Sequence, residues 1–252
     1  MAPKTEVIWQ YTPPDFFSQD LPEVDRPGGT WRLANGRAAC VLVPPQDPLP
    51  DELCDKLRIT LQPMFDQRCC ASDRQYTLGE HPNIEQHTEI GLNRVIILGT
   101  GRLRATGSSV GMSVSIADAS GEVISSTGQQ QLDQEAKGLA DTAVKQQAVP
   151  TLARLYEAYR RAIESPEHEP IRLFEIVELL NAHFGKNRKA KAALIGTANA
   201  YTTLGTLAND LPIVEGRHVG KHADALRPMT DEERQQGRAA ARALIAAFSS
   251  TL

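Results

Sequence analysis

Between Arg94 and Thr127 apolar side chains return at every second position, and from Leu152 onward at every third or fourth. This change of period constrains the fold more than any other feature, because a strand alternates its faces while a helix brings one face round every 3.6 residues. Val95 to Leu98 reads as a buried strand, and Leu103 with Ala105 begins another after Gly99 and Gly101. Val110, Met112, Val114 and Ile116 alternate with small or polar residues, Asp118 to Gly121 is turn-like, and Val123 with Ile124 resumes the pattern. Together these segments predict a β-meander with one covered face. Upstream, Thr30 to Val43 reads as a hairpin about Asn35-Gly36, a pair that tolerates positive φ at both turn positions. Pro50 then opens a helix whose stripe is Leu53, Leu57, Leu61 and Met64 or Phe65. Nine of the 16 prolines fall within the first 50 residues, so that stretch should be extended and loop-rich.

Helical spacing takes over near residue 130. Leu152, Leu155, Tyr156, Tyr159 and Ile163 form one stripe, stopped by Ser165 and Pro166. Leu173, Ile176, Val177, Leu180 and Phe184 form another, with Pro170 near its start and Gly185 at its C-terminal cap. A basic segment from Lys186 to Lys191 leads into shorter helical stretches up to Asn209. In the last helix Thr230 to Glu233 is a capping box, and Ala241, Leu244, Ile245 and Phe248 are the buried stripe. The expected class is therefore α+β: an N-terminal antiparallel sheet with a packed helix over residues 1–130, behind a Pro-rich segment, and an all-α helical bundle over residues 131–252.

With 41% hydrophobic and 23% charged residues, a chain of 252 can bury a core without disulfide or metal. Its net charge of −4 excludes a globally basic nucleic-acid binder and leaves room for a local basic patch. No opening run has the apolar core of a signal peptide, and no stretch reaches about 18 apolar residues. Cys40, Cys54, Cys69 and Cys70 contain no Cys-x-x-Cys pair, which argues against a cysteine zinc site and for reduced thiols in a cytoplasmic protein.

The segment richest in chemistry is Glu215 to His222, followed by Arg227 and Pro228. It places Arg217, His218, Lys221 and His222 in a connection between helices, where a rigid scaffold can hold binding groups. Arg217 and Lys221 can grip phosphate, and either imidazole can move a proton near neutral pH. His218 and His222 would share a metal only on a helix, which Gly220 disfavours, so neither metal nor cofactor is expected. Elsewhere, His81 and His87 lie among Glu80, Glu85 and Glu89 in what reads as a polar loop. Gly99 to Arg102 lacks the pattern of a phosphate loop, and no nucleophile elbow or His-Glu-x-x-His motif is present.

Arg217 and His222 enclose four residues, the first of them polar. This arrangement resembles the Arg-x4–6-His motif of HEPN-type ribonucleases, which are small helical bundles, over residues 150–252 at most. The resemblance implies a metal-independent ribonuclease acting as a dimer, with His222 transferring a proton, Arg217 stabilising phosphate charge and His218 orienting the pair. Arg74 to His81 and Arg161 to His168 match the bare pattern too, but only Arg217 to His222 lies between two helices. The C-terminal stretch also resembles the ends of uncharacterised bacterial proteins.

The same half supports a second reading. Phe174 to Phe184, Lys186 to Leu194 and Ala198 to Ala208 are spaced like a helix-turn-helix, with Tyr201, Thr202, Thr203 and Thr206 on the third unit. From Lys186 to Arg227 seven basic residues (Lys186, Arg188, Lys189, Lys191, Arg217, Lys221 and Arg227) face three acids. Such a stripe neutralises phosphates. The leading expectation is thus a non-catalytic binding or accessory protein that contacts nucleic acid, RNA before DNA, or a protein partner through its basic helical half. The alternatives are the ribonuclease, acting as a homodimer, and an assembly subunit of a larger complex. No membrane partner is expected.

Overall fold

The computed structural model describes residues 3–19, 21–26, 29–43, 49–88, 91–97, 115–117, 123–185, 194, 196–217 and 225–252. The strands are β1 (Lys4–Thr12), β2 (Val24–Arg26), β3 (Gly29–Ala34), β4 (Arg37–Leu42), β5 (Thr77–Leu78), β6 (Asn83–Thr88), β7 (Gly91–Ile97), β8 (Ser115–Ala117) and β9 (Val123–Ser126). The helices are α1 (Asp51–Ser72), α2 (Thr127–Ala148), α3 (Pro150–Glu164), α4 (Glu169–Phe184), α5 (Ala198–Asn209) and α6 (Asp231–Ser250). The fold is α+β, with the antiparallel sheet N-terminal and most of the helices C-terminal. Two compact units emerge, residues 1–64 with 76–141 and residues 65–75 with 142–252, so α1 and α2 each contribute to both.

In the first unit the main sheet runs β2-β3-β4-β1-β6-β7, with β5 pairing the end of β1. The hairpin at Asn35-Gly36 forms as its sequence requires, both residues at positive φ (53° and 75°). Register sets the two faces. Glu6 lies opposite Val41 and Glu85, and Val7 opposite Cys40 and Ile84. Val7, Trp9, Trp31, Leu33 and Cys40 are therefore one buried face. The Pro-rich opening contains β1, the nine-residue strand that pairs with both β4 and β6. Its burial, iBBBBBiBe in order, hides the strand period, because Glu6 and Ile8 on the opposite face are buried as well as the inner-face residues Thr5, Val7, Trp9 and Tyr11. The stretch from His81 to Glu89, read as a polar loop, contains β6, so the backbone around Glu85 and His87 is extended and paired. The expected strands at Leu103–Ala105 and Val110–Val114 lie outside the described residues.

The second unit is a helical bundle. Leu152, Leu155, Tyr159 and Ile163 on α3, Leu173, Ile176 and Leu180 on α4, and Leu244, Ile245 and Phe248 on α6 are all 3% exposed or less. Gly185 ends α4 at φ 87°, the left-handed cap its sequence predicts. At the head of α6 Thr230 Oγ1 accepts the Glu233 N–H while the Glu233 carboxylate accepts the Thr230 N–H, a reciprocal capping box. Glu169, fully buried at the first residue of α4, is gripped by Arg238 (Nε 2.6 Å, Nη2 3.0 Å) and Arg234 (2.5 Å) from α6. A fully desolvated carboxylate is tolerated only with this kind of compensation. No helix among the described residues is long and apolar enough to cross a membrane.

Candidate functional site

The connection from α5 to α6 is built at its base. Ile213 pairs with Arg227 in a short parallel bridge. Val214 N–H donates to the Arg227 carbonyl (3.1 Å), and Arg227 N–H donates to the Pro212 carbonyl (3.0 Å). Leu207, Ile213 and Met229 close a small apolar cluster beneath it. Gly216 is buried; a Cβ there would stand 3.3 Å from the Ile213 carbonyl oxygen and 3.4 Å from that of Ala208. Arg217 N–H donates to the Ala208 carbonyl at 2.7 Å, so residue 217 leaves the base from a fixed point. Glu215 holds the return path by accepting the Met229 N–H (3.1 Å), with Arg234 at 3.5 Å.

Of the residues expected to act there, Arg217 and Arg227 are described, and both are already engaged. Arg217 donates to Glu178 at 2.8 Å, with its guanidinium carbon 5.4 Å from the centre of the Phe174 ring. Arg227 makes a two-pronged bond to Glu233 (2.8 and 2.6 Å). That bond, with help from the Thr230 backbone and hydroxyl, pulls the Glu233 carboxyl down to about 2 against the opposing effect of burial. His218, Lys221 and His222 lie outside the described residues, as do Lys186, Arg188, Lys189 and Lys191. The middle unit of the helix-turn-helix reading falls there too, apart from Leu194. In its third unit, α5, Tyr201 is only 3% exposed and serves the core, whereas Thr202 faces solvent.

Glu178 connects this loop to a groove the sequence reading missed. A depression of about 450 Å³ between α3 and α4 is lined by Arg154, Glu157, Arg161, Glu175 and Glu178 among others. Arg154 and Arg161 are exposed and make no ion pair with any described residue. Glu175 is tied to Arg172 (2.5 Å) and Glu178 to Arg217 (2.8 Å). The signal was available in principle, since Arg154, Ala158 and Arg161 follow at four- and three-residue steps and so share one helix face.

On the sheet, Glu6, Glu85 and His87 bring three potential ligand atoms within 4.8 Å of one another. Their charge is already balanced. Lys4 donates to Glu6 at 2.5 Å, with Arg32 at 4.0 Å, and Arg37 donates to Glu85 at 2.9 Å. Burial raises the Glu6 pKa, but Lys4 and the neighbouring cations outweigh it and leave the carboxyl below its ordinary value. This is an ion-pair array spread over the sheet. The three buried thiols are equally settled: burial pushes Cys40 and Cys70 up to about 12 and raises Cys69 as well, which makes them poor nucleophiles.

Comparison with protein-family models, with curated proteins and with solved structures finds no match for this chain.

Proposed function

We propose that this is a non-catalytic, cytoplasmic binding protein whose helical half engages nucleic acid, single-stranded RNA in the first instance. The observation that carries the reading is the α3–α4 groove. Arg154 and Arg161 there are exposed cations without carboxylate partners, and the pinned 213–227 connection stands beside it through the Arg217–Glu178 bond. The excess of basic residues between Lys186 and Arg227 adds to the same side of the balance. Arg217 is better suited to holding this surface than to catalysis, because phosphate stabilisation would require it to leave both Glu178 and Phe174.

The test is RNA binding and cleavage in EDTA across a salt series, comparing wild type with Arg154→Glu/Arg161→Glu and with His222→Ala. Binding should weaken with salt, with a log–log slope of about −0.7 per phosphate neutralised. The double reversal should weaken it further, and no RNA should be cut. Cleavage lost in His222→Ala would replace this reading with the ribonuclease. Absence of both binding and cleavage would overturn it in favour of a protein partner.

A further inference from the structure

Arg26 ends β2, at one edge of the main sheet, and is 7% exposed. Its Nη1 donates to the Ala140 carbonyl at 2.6 Å. Its Nε and Nη2 are sealed from solvent and reach no acceptor, and no carboxylate among the described residues pairs with it. Burial alone pulls its pKa below the usual arginine value. These two nitrogens form the edge of the guanidinium that grips a carboxylate with two parallel bonds. Arg238 uses that same edge on Glu169, through Nε at 2.6 Å and Nη2 at 3.0 Å. Arg26 thus presents, already desolvated, a fork that elsewhere in the molecule holds an anion.

Its neighbours on the sheet add donors of the same kind. Arg26 lies opposite Gly29 and Val24 opposite Trp31, so Arg26 and Trp31 are diagonal neighbours on one face. Trp31 is opposite Cys40, Cys40 is opposite Val7, and Trp9 follows two residues along on that face. The Trp9 and Trp31 ring centres are 6.0 Å apart, and both indole Nε1 atoms are buried without an acceptor. Four donor nitrogens and one positive charge therefore share one buried face. Unmatched donors are costly, and a buried charge without a counter-charge more so, which makes such a concentration on one face a feature with a use.

We propose that Arg26, with Trp31 diagonal to it and Trp9 beyond Trp31 on the same face, is a receptor for a small oxyanion, a carboxylate or phosphate group, on the inner face of the sheet. The guanidinium fork takes two oxygens of the anion, and the indole N–H groups are the further donors on that face. This site is independent of the RNA reading, since it lies in the other unit and uses none of the same residues.

Trp9 and Trp31 are the two tryptophans of the chain, so selectively excited tryptophan emission reports on this face alone. Wild type is titrated with inorganic phosphate and, separately, with acetate, each against chloride at constant ionic strength. A saturable change of emission with one of the two supports the proposal and says which oxyanion is preferred. Arg26→Met should lose the response, and Arg26→Lys, which keeps the charge but not the fork, should weaken it tenfold or more. In parallel, the preferred anion should raise the melting temperature of wild type and leave that of Arg26→Met unchanged. No saturable change in wild type with either anion overturns the proposal. So does a folded Arg26→Met that titrates like wild type.

Discussion

The two units treat an arginine drawn out of solvent, half-buried Arg238 and buried Arg26, in opposite ways. In the helical unit Arg238 lays Nε and Nη2 against Glu169, Arg234 adds a third bond, and every charge at that junction has a partner. In the sheet unit Arg26 turns the same edge toward no described acceptor and satisfies only Nη1, on a backbone carbonyl. One arrangement is complete within the chain and belongs to its architecture. The other is incomplete within the described chain, and that asymmetry separates a structural ion cluster from a receptor. It also predicts that removing an ion should have opposite consequences in the two units.

The largest effect tests this directly. Glu169→Ala takes the carboxylate from Arg238 and leaves Arg234 only Glu215 at 3.5 Å, and should destabilise the helical unit by about 3–5 kcal/mol. Arg26→Met, in anion-free buffer, removes an uncompensated charge and should leave the sheet unit as stable as wild type or more so. Urea unfolding followed by tryptophan emission for the sheet and by circular dichroism at 222 nm for the helices reads the two separately. If Arg26→Met cost as much as Glu169→Ala, the contrast between the units would be broken.

Next in size is Gly29, opposite Arg26 on the β2–β3 ladder. Its φ of 155° is available mainly to glycine, and a Cβ would stand 2.6 Å from Cys40 Sγ and 2.9 Å from the Val41 carbonyl oxygen. Gly29→Ala should therefore lower stability by about 1–3 kcal/mol in the tryptophan-detected transition. It should also disturb the register that sets Arg26 beside Trp31, weakening any anion response along with the fold.

A smaller, pH-dependent effect belongs to the cap of α6. Arg227 holds the Glu233 carboxyl at about 2, well under the ordinary value near 4.3. A depressed folded-state pKa stabilises fully above the ordinary value, and that contribution fades as pH falls from about 4.3 toward 2. Melting temperature should accordingly drop over that window in wild type and drop less in Glu233→Gln. Thr230→Ala, which removes the other half of the box, should cost about 1 kcal/mol at neutral pH.

Much of the architecture was legible because it is local. The Asn35-Gly36 turn, the stop at Ser165-Pro166, the Gly185 cap and the Thr230 box are each written within a few residues. The class followed from the change of period, and the core stripes of α3, α4 and α6 are the ones their spacing marked, except that Phe184 at the end of α4 is only half-buried. What escaped depends on pairing between distant segments. β1 buries Glu6 and Ile8 on its opposite face beside its inner-face residues, so its strand period is masked in the sequence. Arg26 looks like any polar residue in a Pro-rich stretch until register puts it on the tryptophan face. Arg217 was legible as a residue of interest, but its bond to Glu178, 39 positions away, was not.

That bond supports the last and smallest prediction. Arg217 and Glu178 are both well exposed, so the pair is screened and worth about 0.2–1 kcal/mol; Arg217→Ala should barely move the melting temperature. Glu178→Gln is more informative. It breaks the same pair at the same small cost in stability, yet it takes a negative charge out of the groove and frees Arg217 to face the same side as Arg154 and Arg161. If the groove binds a polyanion, the variant should bind RNA more tightly than wild type and with a steeper salt dependence, since one more cation takes part. If Arg217 matters only as a brace for the connection, Glu178→Gln and Arg217→Ala should behave alike, and neither should strengthen binding.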